Sequence, residues 1–450
     1  MRTVLFGAVL MVLIPLAFIK PWTGVLSWTW ISLMNPHRLT YGFLQDFPVA
    51  FAVALATVLG AVVTRDPRKL PLTPVTWMLL AFILWMCITS TFAAHPDQVA
   101  EMFSKVMKIQ FMLFVTLLLL HTRQQVQLFV WVIVGSLAFY GLKGGIYTIA
   151  TAGHGRVFGP DGSFISGNNE LALALTMVIP LMYYLRSLAE KPWLRATWAG
   201  AMILVGLCIL GSQSRGALLA ILAMSLYLWR YSEKKIRFGL ALVAVAAVLV
   251  WFMPSTWDER MGTIATYEQD NSAMGRINAW WMAYTLAKDR FLGGGFDVGS
   301  PEMFAKYAPN PLDVHAAHSI YFQVLGEHGF VGLGLFLIFW LLTWRTATWV
   351  YKNAQRAEDL QWAARLATMT QVSLVGYFVG GAFLSLAYFD LPYDLMVIVV
   401  LLKVMVQDRL RTGHEVEPAS VGARPSERNM GAPVVAGPML KGARGTHRTP

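Results

Sequence analysis

Arg215 stands where its charge could bind an anion. It lies in the polar run at residues 211–216, between two apolar segments, and Ser214 precedes it directly. A helix that begins at Gly216 would place Arg215 at its N-terminus, where free N–H groups favour an anion and the guanidinium adds a bidentate donor. The alternative is an arginine that extends to lipid head groups. The crowding of polar residues around it favours a polar pocket.

Two further cations interrupt the pattern on the same side of the predicted membrane domain. Arg276 lies in a stretch at 272–286 whose pattern predicts an amphipathic helix, although an ordinary solvated arginine would look the same. Lys143 lies near the end of an apolar segment. Its side chain could extend to the lipid head groups, which explains its position, and anion binding is the alternative. Charges kept against their cost in a membrane are candidates for function.

His318 is the one well-placed candidate for proton transfer. It stands with Ser319 where a long polar loop meets the next apolar segment. An imidazole titrates near neutrality and can act as a general base, while a capping or hydrogen-bonding role is the alternative. His315 three residues earlier suggests a metal pair, but no further ligand cluster accompanies it, so no metal and no cofactor are expected. The glycine run at 293–299 follows no strand and does not indicate nucleotide binding.

The composition predicts the elements that must position these residues. The chain has 450 residues, of which 56% are hydrophobic and only 14% charged, far from the values of soluble proteins. Its apolar runs have about the length that crosses a bilayer as a helix. We therefore expect an all-α polytopic membrane protein with about twelve transmembrane helices, near residues 4–20, 48–64, 74–92, 102–120, 127–150, 170–186, 197–211, 216–230, 237–253, 320–343, 366–387 and 391–407.

The charge pattern predicts the orientation of these helices. The net charge of +11 comes from basic residues in alternate gaps between segments and in the tail, so the membrane explains it and nucleic acid need not be invoked. By the positive-inside rule both termini are cytoplasmic, and the long gaps at 21–47 and 254–319 face outward. Residues 1–410 then form the membrane domain, and 411–450, rich in Gly, Pro, Arg and Ser, form a disordered basic cytoplasmic tail.

In their order along the chain these segments resemble one family. His318-Ser319 followed nine residues later by Gly329-Phe330-Val331-Gly332 resembles the histidine signature of bacterial O-antigen ligases and related bactoprenol-linked oligosaccharyltransferases, with Leu333 as a departure from the pattern. The 214–216 hairpin resembles the family's arginine hairpin, Arg276 with Trp280 resembles its second arginine element, and residues 166–172, including Asn169, resemble its asparagine segment. The likeness covers most of residues 1–407.

Segments 30–38 and 162–170 are most similar to a subgroup described as putative O-glycosylation ligases associated with exosortase A systems. The resemblance implies a GT-C-like architecture with a large periplasmic loop. It also implies transfer of a glycan from an undecaprenyl-pyrophosphate donor to a hydroxyl of a protein or glycolipid at the periplasmic face of the bacterial inner membrane, without ATP or metal. His318 would be catalytic, Arg215, Arg276 and Lys143 would bind the donor pyrophosphate, and Ser214, Asn169 and Ser319 would support them.

Two alternatives to a ligase stay open at this stage. An O-antigen or exopolysaccharide polymerase would use the same chemistry with a second lipid-linked glycan as acceptor, and the histidine signature favours the ligase over it. A lipid-linked glycan flippase would require charges buried along the middle of several helices. The charges singled out here gather at one face instead, which disfavours transport.

Overall fold

The fold is helical throughout the part of the chain that can be described. A computed structural model describes residues 2–65, 67–231, 235–236, 239–240, 243 and 271–415, and no strand occurs among them. Residues Met1–Asp408 form one compact unit. The predicted ninth span at 237–253 lies almost wholly outside the described residues, as do the first part of the long loop at 254–270 and most of the predicted tail, 416–450.

The helices are numbered in chain order over the described residues. They are α1 Arg2–Ile19, α2 Pro21–Met34, α3 Phe43–Asp46, α4 Val49–Val63, α5 Pro74–Thr91, α6 Pro96–Leu119, α7 Arg123–Ala150, α8 Asn168–Leu188, α9 Pro192–Gly211, α10 Arg215–Tyr231, α11 Asn271–Asp289, α12 Pro301–Tyr307, α13 Ile320–Ala354, α14 Gln361–Gly380 and α15 Asp390–Glu415.

Eight described helices are long and apolar enough to cross a membrane: α1, α5, α6, α7, α8, α9, α13 and the region of α14. This confirms a polytopic all-α membrane protein. The expected count of twelve is not confirmed. Three of the other four predicted spans correspond to α4, α10 and α15, which are not among these eight helices, and the ninth predicted span lies almost wholly outside the described residues.

The outer gap predicted at 21–47 is not a loop over its first part. Residues Pro21–Met34 form α2, which packs against α1, α4 and α7. A hydropathy scan misses this helix because its serine and threonine residues lower the mean hydropathy of the segment. Within the helix the Thr23 hydroxyl donates to the carbonyl of Lys20 at 2.8 Å, and that of Ser27 donates to the carbonyl of Thr23 at 2.9 Å. A hydroxyl that donates to a carbonyl of its own helix has its hydrogen bond satisfied when it is buried. A helix with modest apolar content can therefore be buried.

Several helix ends lie together at one end of the bundle, which carries the candidate residues. Helices α7, α9 and α14 end there, and α8, α10, α13 and α15 begin there, with short connections at 212–214 and 381–389. The core below is tightly packed: the Ser373 hydroxyl of α14 donates to the Met177 carbonyl of α8 at 2.6 Å, and a Cβ on Gly145 of α7 would lie 2.2 Å from the Leu204 carbonyl oxygen of α9. Close packing of this kind fixes the helix ends relative to one another.

Helix α13 is bent at Gly329, which divides the predicted span. Gly329 has φ 67° and ψ −173°, so the helix breaks into residues 320–328 and 330–354. The glycine run at 293–295 lies against this break: the N–H of Gly294 donates to the Gly326 carbonyl at 2.9 Å, and that of Gly295 to the Glu327 carbonyl at 2.8 Å. The run therefore serves close backbone packing, a role that its composition allows because glycine has no Cβ.

Replacing Gly329 with alanine is expected to destabilise the protein by about 2 to 4 kcal/mol, since its backbone conformation is nearly restricted to glycine and overpacking adds to the strain. A Cβ there would lie 2.3 Å from the Phe291 carbonyl oxygen. Thermal unfolding of the purified protein in detergent measures the loss. The matched control is Gly334→Ala in the same helix, where a Cβ meets nothing within 4 Å; equal stability of the two variants would contradict the prediction.

Candidate functional site

The Arg215 hairpin is a short, hydrogen-bonded turn. Helix α9 ends at Gly211 and α10 begins at Arg215, so Arg215 lies in the first turn, as predicted. Ser214 is buried, and its hydroxyl accepts the Ala217 N–H at 3.3 Å, which is the contact of an N-terminal cap. Gln213 takes the left-handed conformation, with φ 57°, that closes the turn. The chain thus presents the guanidinium at a helix N-terminus, where an anion is favoured.

The start of α8 connects this hairpin to the second arginine. The Asn168 side-chain amide donates to the Ser212 carbonyl at 2.8 Å, while Glu170, one residue beyond Asn169, lies near enough to Arg276 for the two charges to interact. One turn of α8 therefore touches both arginine elements. Asn169, the predicted supporting residue, makes no hydrogen bond within the described residues; the asparagine beside it makes the contact.

Helix α11 carries Arg276 and holds the segment that ends at His318. The Asn278 amide nitrogen donates to the carbonyls of Asn310 and Asp313 at 2.8 and 2.9 Å. The Trp280 indole donates to the Ala317 carbonyl at 2.7 Å and stacks on Phe322, with ring centroids 5.0 Å apart. The tryptophan thus anchors the residue directly before the candidate base.

His318 is held in a strained backbone conformation. Its φ of 42° is left-handed, which costs energy for a residue with a side chain and indicates that the surroundings impose it. Its N–H donates to the Ser385 hydroxyl at 3.0 Å, which ties it to the connection between α14 and α15. The ring Nδ1 is buried and has no hydrogen-bond partner within the described residues. Ser319, also buried, is the residue from which α13 starts.

The electrostatic environment keeps His318 neutral. Burial lowers the pKa of the imidazole below its ordinary 6.5, and the nearby charges of Arg276 and His315 lower it further. His315 itself lies 2.8 Å from the Asp313 carboxylate. A neutral imidazole at pH 7 can accept a proton, which a protonated one cannot.

We expect His318 to titrate below pH 6.5, and its pKa to rise when Arg276 is replaced by glutamine, because a neighbouring cation disfavours the protonated ring. Nuclear magnetic resonance of histidine-labelled protein over a pH series measures both. The control is Lys288→Gln, which removes an exposed cation from the last turn of the same helix. A titration at or above 6.5 in the parent protein, or an equal shift in the control, would refute the assignment.

The structure therefore brings together Arg276, His318 and Glu170. The Arg215 hairpin joins this group through Asn168 and through Phe383, whose Cβ would lie 3.6 Å from a Cβ on Gly216. Lys143 is placed differently. It is exposed on α7, which continues to Ala150, and it has no hydrogen bond or ion pair within the described residues. Its role in anion binding stays a prediction.

Three acidic or hydroxyl residues of this region were missed. Glu170 and Glu327 are acidic residues inside apolar segments. An ionisable residue in such a segment is a candidate for function, so the sequence could have singled them out. Glu327 is buried; its carboxylate accepts bonds from the Tyr388 hydroxyl and from the Asp297 N–H, the latter at 3.3 Å. Ser385 carries no signal in the sequence, because a lone serine in a connection is common. The sequence argument against transport relied on the absence of charges buried within the helices. The buried Glu327 weakens that argument.

Glu327 is followed by a second buried polar residue, His328. The His328 Nδ1 lies 2.7 Å from the Thr89 hydroxyl oxygen, and its Nε2 lies 4.0 Å from the Glu327 carboxylate. These contacts tie the short first segment of α13 to α5 and to the connection that holds His318. We interpret this group as support for the site.

Two parts of the chain match known protein families. Residues 200–337 are similar to the family described as O-antigen ligase, and this match spans Arg215, Arg276 and His318. Residues 1–189 match a family of unknown function, DUF5935, which spans Lys143 and Asn169. No curated protein matches the chain. The O-antigen ligase match supports a membrane glycosyl-transfer role for this part of the protein.

Proposed function

We propose that this protein is a membrane glycan ligase that transfers a glycan from an undecaprenyl-pyrophosphate donor to an acceptor hydroxyl. The observation that carries the proposal is the contact of the helix that bears Arg276 with the segment that ends at His318, through the 2.7 Å bond from the Trp280 indole to the Ala317 carbonyl, within a region similar to O-antigen ligases. A base candidate and an anion-binding candidate at one helix end are what such a transfer needs. We extend the proposal to the subgroup associated with exosortase A systems, on the sequence likeness alone.

The proposed reaction is a displacement at the anomeric carbon of the glycan. The bond from that carbon to the pyrophosphate oxygen breaks, and a bond to the acceptor oxygen forms. The leaving undecaprenyl pyrophosphate takes the electron pair, and its growing negative charge is stabilised by the guanidinium groups of Arg215 and Arg276. The acceptor's proton passes to the neutral imidazole of His318. In this scheme the arginines supply the stabilisation that a metal supplies in other transferases.

The geometry supports the division of roles. Arg215 heads α10 with the free N–H groups of its first turn, so this end suits the phosphates. The backbone of His318 is fixed by its own N–H contact to Ser385 and, through Ala317, by the contact to Trp280. Groups fixed before the reaction lower its barrier without reorganisation.

The purified protein, given a lipid-pyrophosphate glycan and an acceptor, should release undecaprenyl pyrophosphate in proportion to the glycosylated product. Mass spectrometry of the lipid and product fractions measures both. Release without an added acceptor, with lengthened lipid-linked glycan as product, would instead identify a polymerase. Failure to release the pyrophosphate lipid with any glycan donor would refute the proposal.

We also propose that the site faces the periplasm from the inner membrane, with the C-terminus in the cytoplasm. The support is the set of basic gaps on the opposite side. The predicted cytoplasmic N-terminus is not part of this proposal. The Thr3 hydroxyl donates to the Tyr41 carbonyl at 3.2 Å, which places the start of α1 beside the start of α4, and a Cβ on Gly60 near the end of α4 would lie 2.2 Å from the Phe18 carbonyl oxygen near the end of α1. A reporter enzyme that is active only after export to the periplasm should be active when it is fused at residue 160 or at residue 290. A cytoplasmic signal from either position would overturn this orientation.

A further inference from the structure

A groove separate from the arginine site opens on the side of the bundle. It has a volume of about 630 Å³ and lies between α2, α4 and α6, closed at one end by the connection at 162–165 and by the start of α15. Its walls are mainly apolar, and include Trp28, Ala54, Val58 and Met112. Because α4 and α6 both begin near the closed end, the groove follows them into the bundle.

The groove is open where a bilayer would lie. Three of its lining residues are large, apolar and exposed: Phe51 at 60%, Leu55 at 47% and Phe111 at 53%. They lie on the outward faces of α4 and α6. Exposed apolar residues on membrane helices face lipid tails, so a hydrocarbon chain can enter this groove from the side.

The closed end carries charges of both signs. Lys105 and Lys108 line it, together with the carboxylates of Glu101 and Asp390. The Lys105 ammonium lies 3.8 Å from the centroid of the Phe164 ring. The charges that act on Lys105 are those of Asp390, Glu101 and Arg38, so this group is distinct from the Arg276 group.

One oxygen of the buried Asp390 carboxylate lacks a hydrogen-bond partner in the described part of the chain. The residue is 2% exposed, and its Oδ2 accepts a bond from the Ser32 hydroxyl. Its Oδ1 is buried with no hydrogen-bond partner among the described residues. A buried carboxylate oxygen without a donor is costly, and a ligand with N–H groups would remove that cost.

We propose that this groove binds one phospholipid with a zwitterionic ethanolamine head group. The acyl chain lies along α4 and α6, the phosphate contacts Lys105 and Lys108, and the ammonium donates to Asp390 and Glu101. The mixed charges select this head group. Phosphatidylglycerol offers the two carboxylates only neutral hydroxyl donors and no positive charge, and a choline head group has no N–H with which to reach the Asp390 oxygen.

The location gives such a lipid a structural consequence. Gly162 and Ser163 line the groove five to eight residues before Asn168 and Glu170, and Phe164 packs on Phe389 with centroids 6.0 Å apart. A bound head group would therefore support the connection that leads to the start of α8. This lipid is not a substrate, and the inference does not depend on the proposed glycan transfer.

The test uses the full-length protein, delipidated by detergent exchange and then incubated with lipids of identical chains and different head groups. Native mass spectrometry should show retention of phosphatidylethanolamine about tenfold above phosphatidylcholine and phosphatidylglycerol, the size of effect that one charge-assisted hydrogen bond produces. Equal retention of the three lipids would overturn the proposal. Displacement of phosphatidylethanolamine by an equal amount of a polyprenyl phosphate would overturn it as well, and would assign the groove to that lipid.

Two variants with matched controls locate the lipid. Ala54→Trp fills the groove and should abolish retention, whereas Ile203→Trp, at an exposed position of α9, should not. Glu101→Gln should remove most of the preference for ethanolamine over choline, while Asp97→Asn, one turn earlier on α6 and outside the groove, should keep it. Retention by the Ala54→Trp protein, or loss of preference in both acid variants, would place the lipid elsewhere and refute the site.

Discussion

Replacing His318 with alanine is expected to lower the rate of glycan transfer by about 10² to 10⁴-fold, the usual contribution of a positioned general base. The fold should survive, because the bond that His318 makes to Ser385 comes from its backbone N–H and its ring Nδ1 has no partner in the described residues. The measurement is the initial rate of undecaprenyl pyrophosphate release by the purified protein.

His318→Asn sharpens this test. Asparagine tolerates the left-handed conformation that the residue adopts, with φ 42°, but it cannot accept the proton. It should therefore be folded and as slow as the alanine variant, and added imidazole should restore part of the rate to the alanine variant. The control is His154→Ala, an exposed histidine after α7. Parent-like rates for both His318 variants would show that the residue is not the base.

Replacing Arg215 with lysine should reduce kcat by about 10² to 10³-fold, the cost of losing one preorganised donor at a developing negative charge. Lysine keeps the positive charge but loses the planar fork that contacts two phosphate oxygens at once. Because the charge remains, the loss should fall mainly on kcat, with a smaller rise in KM. Arg215→Gln, which removes the charge too, should lose more.

The matched control is Arg230→Lys, at the other end of the same helix. It makes the same chemical change at a distance of fifteen residues, or about 22 Å along a helix. If the Arg215 and Arg230 variants had equal rates, Arg215 would be an arginine that contacts head groups, the alternative raised by its position in the sequence.

The sequence predicted the class of fold because long apolar runs leave few structures for a backbone in lipid. It also predicted where α10 begins, since the polar hairpin is a local signal, and that Arg276 lies in a helix. It missed α2, whose serine and threonine hydroxyls are bonded within the helix and so look more polar than they are. It also missed the bend at Gly329, because the partner that stabilises it, the run at 293–295, is distant in the chain.

The candidate site was predicted less completely, for a related reason. His318 and the two arginines could be singled out as charges or titratable groups in unusual places. Their partners could not, because Asn168 and Ser385 are ordinary polar residues whose contacts exist only after the helices pack. Lys143, singled out by the same kind of signal, is exposed on α7, and its role in anion binding stays a prediction.

The hydrogen bonds between the 293–295 run and α13 join backbone to backbone, with glycines where these two segments of the chain approach each other. Such a joint does not depend on which side chains surround it. In a library of random variants, most positions in the second half of α13 should therefore accept many apolar residues, whereas 293, 295 and 329 should accept almost none. Three small residues that take no part in the proposed reaction would then fix the position of the helix that follows His318.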